Sequence, residues 1–352
     1  MGERVVVARS GGVDSSLAAA LLVEQGYEVI GVMMRLWVEG ENRCCAPQAV
    51  EDARRVAGQL GIPFYLVNYE AEFKRRVVDY FIAEYSRGWT PNPCLACNRY
   101  LRFGRLLSQA RALEARYLAT GHYVRLDRGE GRYHLRMGAD EAKDQSYVLY
   151  MLGQEELRRL LFPVGGFAKA QVREMARQRG LAVASREESM EICFVTDDDY
   201  RRFLSEHAPQ AIRPGPILDT AGNEIGRHSG LPFYTVGQRR GLGIAAPEAL
   251  YVIRLDGARN ALIVGPAREL GRRTLTAQDV SYVAGRPPAG PLRVRAKIRY
   301  RARLAEATWH PLPGDRARVE FDEPLRDISP GQAVVAYDGD RVLGGGIIND
   351  GE

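Results

Sequence analysis

The 352-residue sequence predicts an α/β protein: an N-terminal doubly wound parallel sheet followed by β-rich central and C-terminal parts. Three observations carry this. Strand-like and helix-like segments alternate through the first third. After about Tyr200 that texture gives way to short alternating segments among prolines and glycines, and the length exceeds what one core usually serves. Strand alternating with helix implies parallel pairing through right-handed crossovers, which places a ligand at the carboxyl ends of the strands.

The elements follow in order. Arg4 to Ala8 is a short β-branched run, and Ser15 to Gln25 reads as a helix closed by Gly26. Glu28 to Met34 is a second strand, and Gln48 to Leu60 is an amphipathic helix stopped by Gly61 and Pro63. Phe64 to Val67 is a third strand. A helix from Ala71 to Arg87, a proline-stiffened loop from Thr90 to Cys97, a helix from Arg99 to Glu114 and a strand from Tyr117 to Thr120 extend the same sheet. Tyr251 to Leu255, Leu292 to Tyr300 and Ala333 to Tyr337 read as later strands. Breaks in APQAIRPGP, between His207 and Pro216, and in GRPPAGP, from Gly285 to Pro291, divide the chain into units 1–207, 208–284 and 285–352. There is no internal repeat.

Composition narrows the class. Hydrophobic residues at 45% and charged residues at 26% fit a globular protein. No apolar run is long enough to cross a bilayer, and Met1-Gly2-Glu3-Arg4 leads straight into a strand, so a cytoplasmic protein with no membrane partner is expected. A net charge of +5 is mild, but arginine is concentrated at Arg239-Arg240, Arg272-Arg273 and Arg293 to Arg303, where a planar fork suits phosphate; solvated faces are the competing reading. Five cysteines in such a compartment point to catalytic, redox or metal use in place of a disulfide framework. The adjacent Cys44-Cys45 reads as structural or peripheral.

The chemistry begins at residues 8–16, ARSGGVDSS, between the first strand and the first helix. A strand that turns through Ser-Gly-Gly into a helix gathers free backbone amides and the positive helix end around one point, an anion site. The lysine of a Walker loop is missing, which suits gripping a leaving pyrophosphate better than transferring a γ-phosphoryl group. Asp14 implies a Mg2+ ion between acid and phosphate. Cys97, just ahead of a helix, is a candidate nucleophile because the helix end favours its thiolate. His122 offers a general base or a polar wall of the nucleotide pocket. Asp197-Asp198-Asp199 reads as the charged start of a helix. Arg299-Tyr300-Arg301 alternates like a strand, with the two arginines on one face for phosphate and Tyr300 on the other for a base.

SGGVDSS resembles the PP-loop of the ATP pyrophosphatase superfamily, whose members adenylate a carbonyl oxygen and release pyrophosphate. Thr90-Pro91-Asn92-Pro93-Cys94-Leu95-Ala96-Cys97-Asn98, Thr120-Gly121-His122-Tyr123, Lys143-Asp144-Gln145-Ser146, Glu188-Ser189-Met190-Glu191-Ile192-Cys193-Phe194 and Ile298-Arg299-Tyr300-Arg301 extend the match. Together, from Val5 to the end of the chain, they resemble the bacterial tRNA 2-thiouridylase family. That resemblance implies a C-terminal β-barrel. It implies ATP held by Ala8, Arg9, Ser10, Gly11, Gly12, Val13, Asp14 and Ser15 with Met34 and Gly121. A wobble uridine in tRNA would be adenylated at its 2-carbonyl, Cys193 would carry an incoming persulfide, and Cys97 would attack it or assist its release. Asn92, Pro93, Cys94, Lys143, Asp144, Gln145, Arg299 and Tyr300 would contact the tRNA, and a cysteine desulfurase or relay protein would donate sulfur. Many family members carry an acid where this chain has Cys94. An iron–sulfur cluster on Cys94, Cys97 and Cys193 is therefore an alternative sulfur route, a different PP-loop adenylating ligase is another, and an RNA-binding or iron–sulfur carrier that has lost catalysis is a third.

Overall fold

The computed structural model describes residues 2–39, 47–185 and 192–349; Cys44, Cys45 and the Glu188 to Glu191 part of the motif before Cys193 lie outside them. The alternating first third forms strands β1 (Arg4–Arg9), β2 (Glu28–Arg35), β3 (Phe64–Asn68) and β4 (Tyr117–Ala119), all parallel. Val5, Val6 and Val7 are fully buried, because helices cover both faces of the sheet and a continuous apolar run is what such a strand needs. Two further strands, β5 (Val124–Gly129) and β6 (Arg132–Met137), form a hairpin outside this sheet, and β7 (Leu160–Leu161) joins its edge beside β4. The order is β3-β2-β1-β4-β7. Succession therefore runs outward in one direction from β1 and in the other from β4, and the reversal between these two strands opens a crevice at their carboxyl ends.

The central part is a four-stranded sheet of β8 (Gly215–Leu218), β9 (Glu224–His228), β10 (Leu250–Asp256) and β11 (Ala261–Pro266). Beyond it, β12 (Arg272–Tyr282), β13 (Leu292–Lys297), β14 (Ala305–Leu312), β15 (Arg316–Leu325), β16 (Ala333–Asp338) and β17 (Arg341–Asn349) pair antiparallel, and β12 pairs with both β15 and β17. That second pairing closes a barrel around Trp309, Phe321, Val319 and Ile348 and leaves it no open edge. β12 precedes the break read at Gly285 to Pro291, so the barrel begins before that break. The β5–β6 hairpin hangs on β17, where Asp340 takes Arg136 and Arg125.

Three local features differ from the sequence reading. The helix expected from Arg99 already starts at Pro93: Asn92 caps it by accepting from the Cys94 amide, Pro93 occupies the first turn, and the run continues through π-helical Cys97–Leu106 into Leu107–Ala112. The strand expected to reach Tyr300 stops at Lys297, its last residue paired with β16; a turn closed by Ala302 N–H to the Arg299 carbonyl follows. Arg299, Tyr300 and Arg301 thus lie on a turn instead of alternating across a strand. The β5–β6 hairpin was not signalled by apolar alternation, since arginine interrupts it; its sign was the Glu130-Gly131 turn, both residues at positive φ. Among the described residues no helix is long and apolar enough to cross a membrane.

Candidate active site

The phosphate loop leaves β1 and enters the helix Val13–Glu24. Gly12 is its N-cap and makes no side-chain capping bond, so the first-turn amides are not closed by a side chain. Gly11 has φ +72°, and a Cβ there would lie 2.5 Å from the Ala49 carbonyl oxygen. Both serines shape the turn: Ser15 Oγ accepts from the Ser10 amide (3.2 Å), and Ser16 Oγ donates to the Gly12 carbonyl (2.8 Å). Arg9 donates to Ser16 Oγ at 3.0 Å beneath the loop, and among the described residues its Nε and other terminal nitrogen have no partner; burial pushes its guanidinium down to about 10.

Asp14 is where sequence reading missed a residue. Lys169, the first residue of the helix Lys169–Gln178, places Nζ 2.6 and 2.7 Å from its two carboxylate oxygens, and Tyr123 donates its hydroxyl to the same carboxylate at 2.6 Å. The lysine absent from the loop arrives from 155 residues away, a separation at which no local motif signals it. Gly121 lets the end of β4 touch the loop: a Cβ would fall 2.7 Å from the Ser15 nitrogen and 2.8 Å from the Asp14 carbonyl carbon. Ala8 and Met34 flank the same crevice from β1 and β2, packed in the large apolar cluster that also contains Cys97.

His122, next to Gly121, joins the loop to the cysteine helix. Its Nε2 accepts from Arg102 at 3.2 Å, which leaves Nδ1 to donate to Thr120 Oγ1 at 2.7 Å. Arg102 also donates to Asn98 Oδ1 at 2.9 Å, one residue past Cys97. Burial, then the Arg102 charge, holds the imidazole well below the usual histidine range, so it is neutral and has the character of a wall in place of a poised base.

Cys97 lies a full turn inside the helix and is only 8% exposed, whereas Cys94 in the first turn is exposed. The helix end invoked for Cys97 therefore falls to Cys94. Cys193 is half-buried against the apolar cluster that holds Cys97. Among the described residues the three sulfurs do not come within the mutual 4.8 Å of a single-ion site. Thr90 ahead of them is gripped from two sides. Its amide donates to the Pro330 carbonyl (2.8 Å), its carbonyl accepts from Gln332 (2.8 Å), and its hydroxyl donates to Thr235 Oγ1 (3.3 Å) of the central part.

The remaining expected contact residues are distributed unevenly. Asn92 and Pro93 form the helix start. Lys143 is half-buried, and Gln145 exchanges bonds with the Tyr123 backbone (3.0 and 3.1 Å). The Asp144 carboxylate is turned inward, accepting from Gly138 N–H, Ser146 N–H and Ser146 Oγ–H and pairing with buried Lys297 of β13 at 3.5 Å. Its side chain is thus a seam between the first part and the barrel. Arg299 pairs with Asp327 at 2.8 Å, and Tyr300 packs beside Tyr147. Asp199 caps the helix Tyr200–His207, as its acidic run suggests. Glu39, Glu206 and His207 converge as a cation would require, but Arg202 already forks onto Glu39 at 2.6 and 3.0 Å.

Known proteins match this arrangement along its length. A family model described as tRNA methyl transferase HUP domain covers residues 3–197, one described as tRNA methyl transferase PRC-barrel domain covers 201–266, and one described as aminomethyltransferase beta-barrel domain covers 272–348. The chain is similar to tRNA-specific 2-thiouridylase MnmA of Moorella thermoacetica, 56% identical over 97% of this chain and 98% of that protein. It is also similar to the protein of the same name from Symbiobacterium thermophilum, 54% identical over 99% and 92%. Among solved structures, the U34-tRNA thiolase NcsA from Methanococcus maripaludis with its [4Fe-4S] cluster aligns with a TM-score of 0.37 at 18% identity, over 59% of this chain and 65% of that one, a likeness too slight to carry an argument. On the full-length relatives, the chain belongs to the tRNA-specific 2-thiouridylase family.

Proposed function

We propose that this chain is an ATP-dependent tRNA-uridine 2-sulfurtransferase: it adenylates the 2-carbonyl of the wobble uridine, releases pyrophosphate, and replaces the activated oxygen with sulfur. One observation carries the reading. Thr120 to Tyr123 touches the phosphate loop through Gly121 and Tyr123 and touches the cysteine helix through His122, so nucleotide activation and thiol chemistry share a single wall. An oxygen that leaves poorly must become an AMP ester before sulfur displaces it, and such coupling needs both groups around one base. That base reaches a buried site only when flipped from its stack.

Within this reading the loop amides hold the polyphosphate, Ala8 and Met34 flank the adenine, and Lys169 turns from Asp14 to the phosphates; the Asp14 carboxylate would then hold a Mg2+ ion, which would offset phosphate charge. Cys193 carries the persulfide and Cys97 attacks its inner sulfur, with both side chains at one apolar cluster in support. A sulfur-donor protein loads Cys193. The tRNA lies over Asn92, Pro93, Cys94, Lys143, Gln145, Arg299 and Tyr300, while the inward-turned carboxylate takes Asp144 out of the expected set. The units are 1–207, 208–271 and 272–352: the boundary expected at 284/285 moves ahead of Arg272 because β12 pairs with β15 and β17.

The test incubates the protein with ATP, Mg2+, a persulfide source and unmodified tRNA. Pyrophosphate release that requires tRNA, together with 2-thiouridine in the digested product, is expected. A carrier protein releases no pyrophosphate, and an ammonia-using ligase releases it without regard to tRNA; either result overturns the reading.

A further inference from the structure

Cys94 is a thiol that the sulfur-transfer scheme does not use. We infer that it is the resolving thiol of the catalytic cycle: after each sulfur transfer it opens the Cys97–Cys193 disulfide and passes the oxidation outward through a Cys94–Cys97 disulfide. The inference rests on the proposed persulfide reading.

The need arises from electron balance. The terminal sulfur of the Cys193 persulfide bonds to C2 of the uridine as AMP leaves. The Cys97 thiolate then attacks the Cys193 sulfur, the S–S bond to the transferred atom breaks with its electron pair on the 2-thiouridine, and Cys97 and Cys193 are left joined. The sulfane sulfur has been reduced and two thiols oxidised. In that state Cys193 cannot accept another persulfide, and Cys97 is only 8% exposed, within an apolar cluster where an external reductant has poor access.

Cys94 answers that state by position. It stands three residues before Cys97 in a continuous helical run, Pro93–Ala96 into Cys97–Leu106, so the two share a face with Cα atoms about 5 Å apart, inside the span a disulfide bridges. It is exposed where Cys97 is buried. It also occupies the first turn, where the positive end of the run stabilises an anion. Asn92 fixes that turn through the Cys94 amide (3.0 Å), and the hold on Thr90 from Pro330, Gln332 and Thr235 fixes the approach to it. The exchange is balanced. The Cys94 thiolate attacks the Cys97 sulfur, Cys193 leaves as a thiolate ready for recharging, and no electrons are gained or lost. A small dithiol or a dithiol protein then supplies the two electrons and two protons that reduce the exposed Cys94–Cys97 bond.

The experiment loads full-length protein with persulfide, supplies ATP and unmodified tRNA without reductant, quenches with acid and an alkylating agent after one turnover, and maps disulfide-linked peptides. The wild type is expected to yield the Cys94–Cys97 link with Cys193 alkylated. C94S, and independently C94A, is expected to yield Cys97–Cys193 and to stall after about one 2-thiouridine per enzyme. At limiting dithiol its steady-state rate should fall at least about tenfold below wild type and recover as dithiol is raised. A wild-type quench holding only Cys97–Cys193, or variants cycling at the wild-type rate at limiting dithiol, overturns the assignment even if thiolation itself is intact. If neither protein makes a first 2-thiouridine, the functional reading falls and takes this one with it.

Discussion

Replacing Lys169 with methionine tests whether the phosphate loop borrows its cation from outside. In the resting protein Nζ sits 2.6 and 2.7 Å from the Asp14 oxygens, with the lysine side chain 13% and the aspartate 30% exposed. The pair is only partly screened: unit charges about 4 Å apart attract by about 4 kcal/mol at an effective dielectric of 20, an upper figure for a site that keeps some water. With ATP bound, the lysine exchanges that partner for phosphate oxygens, and a charge-assisted bond contributes a net of about 1.5–3 kcal/mol. Because about 1.4 kcal/mol is tenfold, K169M should lower kcat/KM for ATP in tRNA-dependent pyrophosphate release by roughly 10- to 150-fold. Methionine keeps the length and apolar stem of the side chain, so lost packing contributes little. The assay varies ATP at saturating Mg2+ and tRNA, and repeats the titration with K169R, which should recover part of the loss. An ATP dependence unchanged from wild type would show that Lys169 only neutralises Asp14 and never meets the nucleotide.

Other substitutions separate the remaining assignments. C97S and C193S should each abolish 2-thiouridine while tRNA affinity stays within about twofold, read by product digestion and filter binding; thiouridine from either variant removes the two-cysteine scheme. R299A breaks an exposed pair with Asp327 worth at most about 1 kcal/mol, so the melting curve should hardly move, while tRNA affinity falls and the slope of log K against log salt drops by about one. An unchanged slope would make Arg299 structural. G331A places a Cβ at φ +89° and 3.1 Å from Thr90 backbone atoms, which should destabilise the protein by about 1–2 kcal/mol in urea and slow thiolation further by loosening the loop ahead of Cys94; loss of stability with unaltered thiolation would detach that contact from function. His122 gives a pH test. Its folded pKa is depressed, so below about 6.5 the unfolded chain binds a proton that the folded chain refuses, and stability falls as pH falls, by about 1.4 kcal/mol per unit. Urea midpoints should fall as pH goes from 7 to 5.5, and H122Q should reduce the fall to the part left by His228, whose pKa burial also lowers; equal slopes in the two proteins would place the titration elsewhere.

The parallel pairing of the first strands was legible because Val5 to Val7 and Val29 to Met34 obey one rule, burial on both faces, and helices alternate with them; the strand order was not. The hairpin of β5 and β6 was hidden because its stability comes from contacts far along the chain. Arg125 and Arg136 look like solvated charge until Asp340 is placed between them. The early end of β13 was hidden likewise, since Arg299-Tyr300-Arg301 alternates well enough to continue a strand and only the end of the β16 ladder stops it.

The same division runs through the site. Residues acting through their backbone leave a trace in the sequence: Gly11 stands in the Ser-Gly-Gly turn, where a Cβ would lie 2.5 Å from the Ala49 carbonyl oxygen, and Gly121, named through the family resemblance, is needed because a Cβ there would strike Ser15 and Asp14. Residues acting through long-range pairing leave none. Lys169 resembles any helix-start lysine, and Asp144 resembles an exposed loop acid until Lys297 and Ser146 enclose it. The cysteines lie between these cases. Their spacing of three was visible, but which one the helix end faces depends on where the helix starts, and Asn92 with Pro93 moves that start from Arg99 to Pro93. Six residues decide that Cys94 meets the solvent and Cys97 the core, and in the proposed cycle that asymmetry would let one thiol do the transfer chemistry under cover while its neighbour deals with the reductant outside.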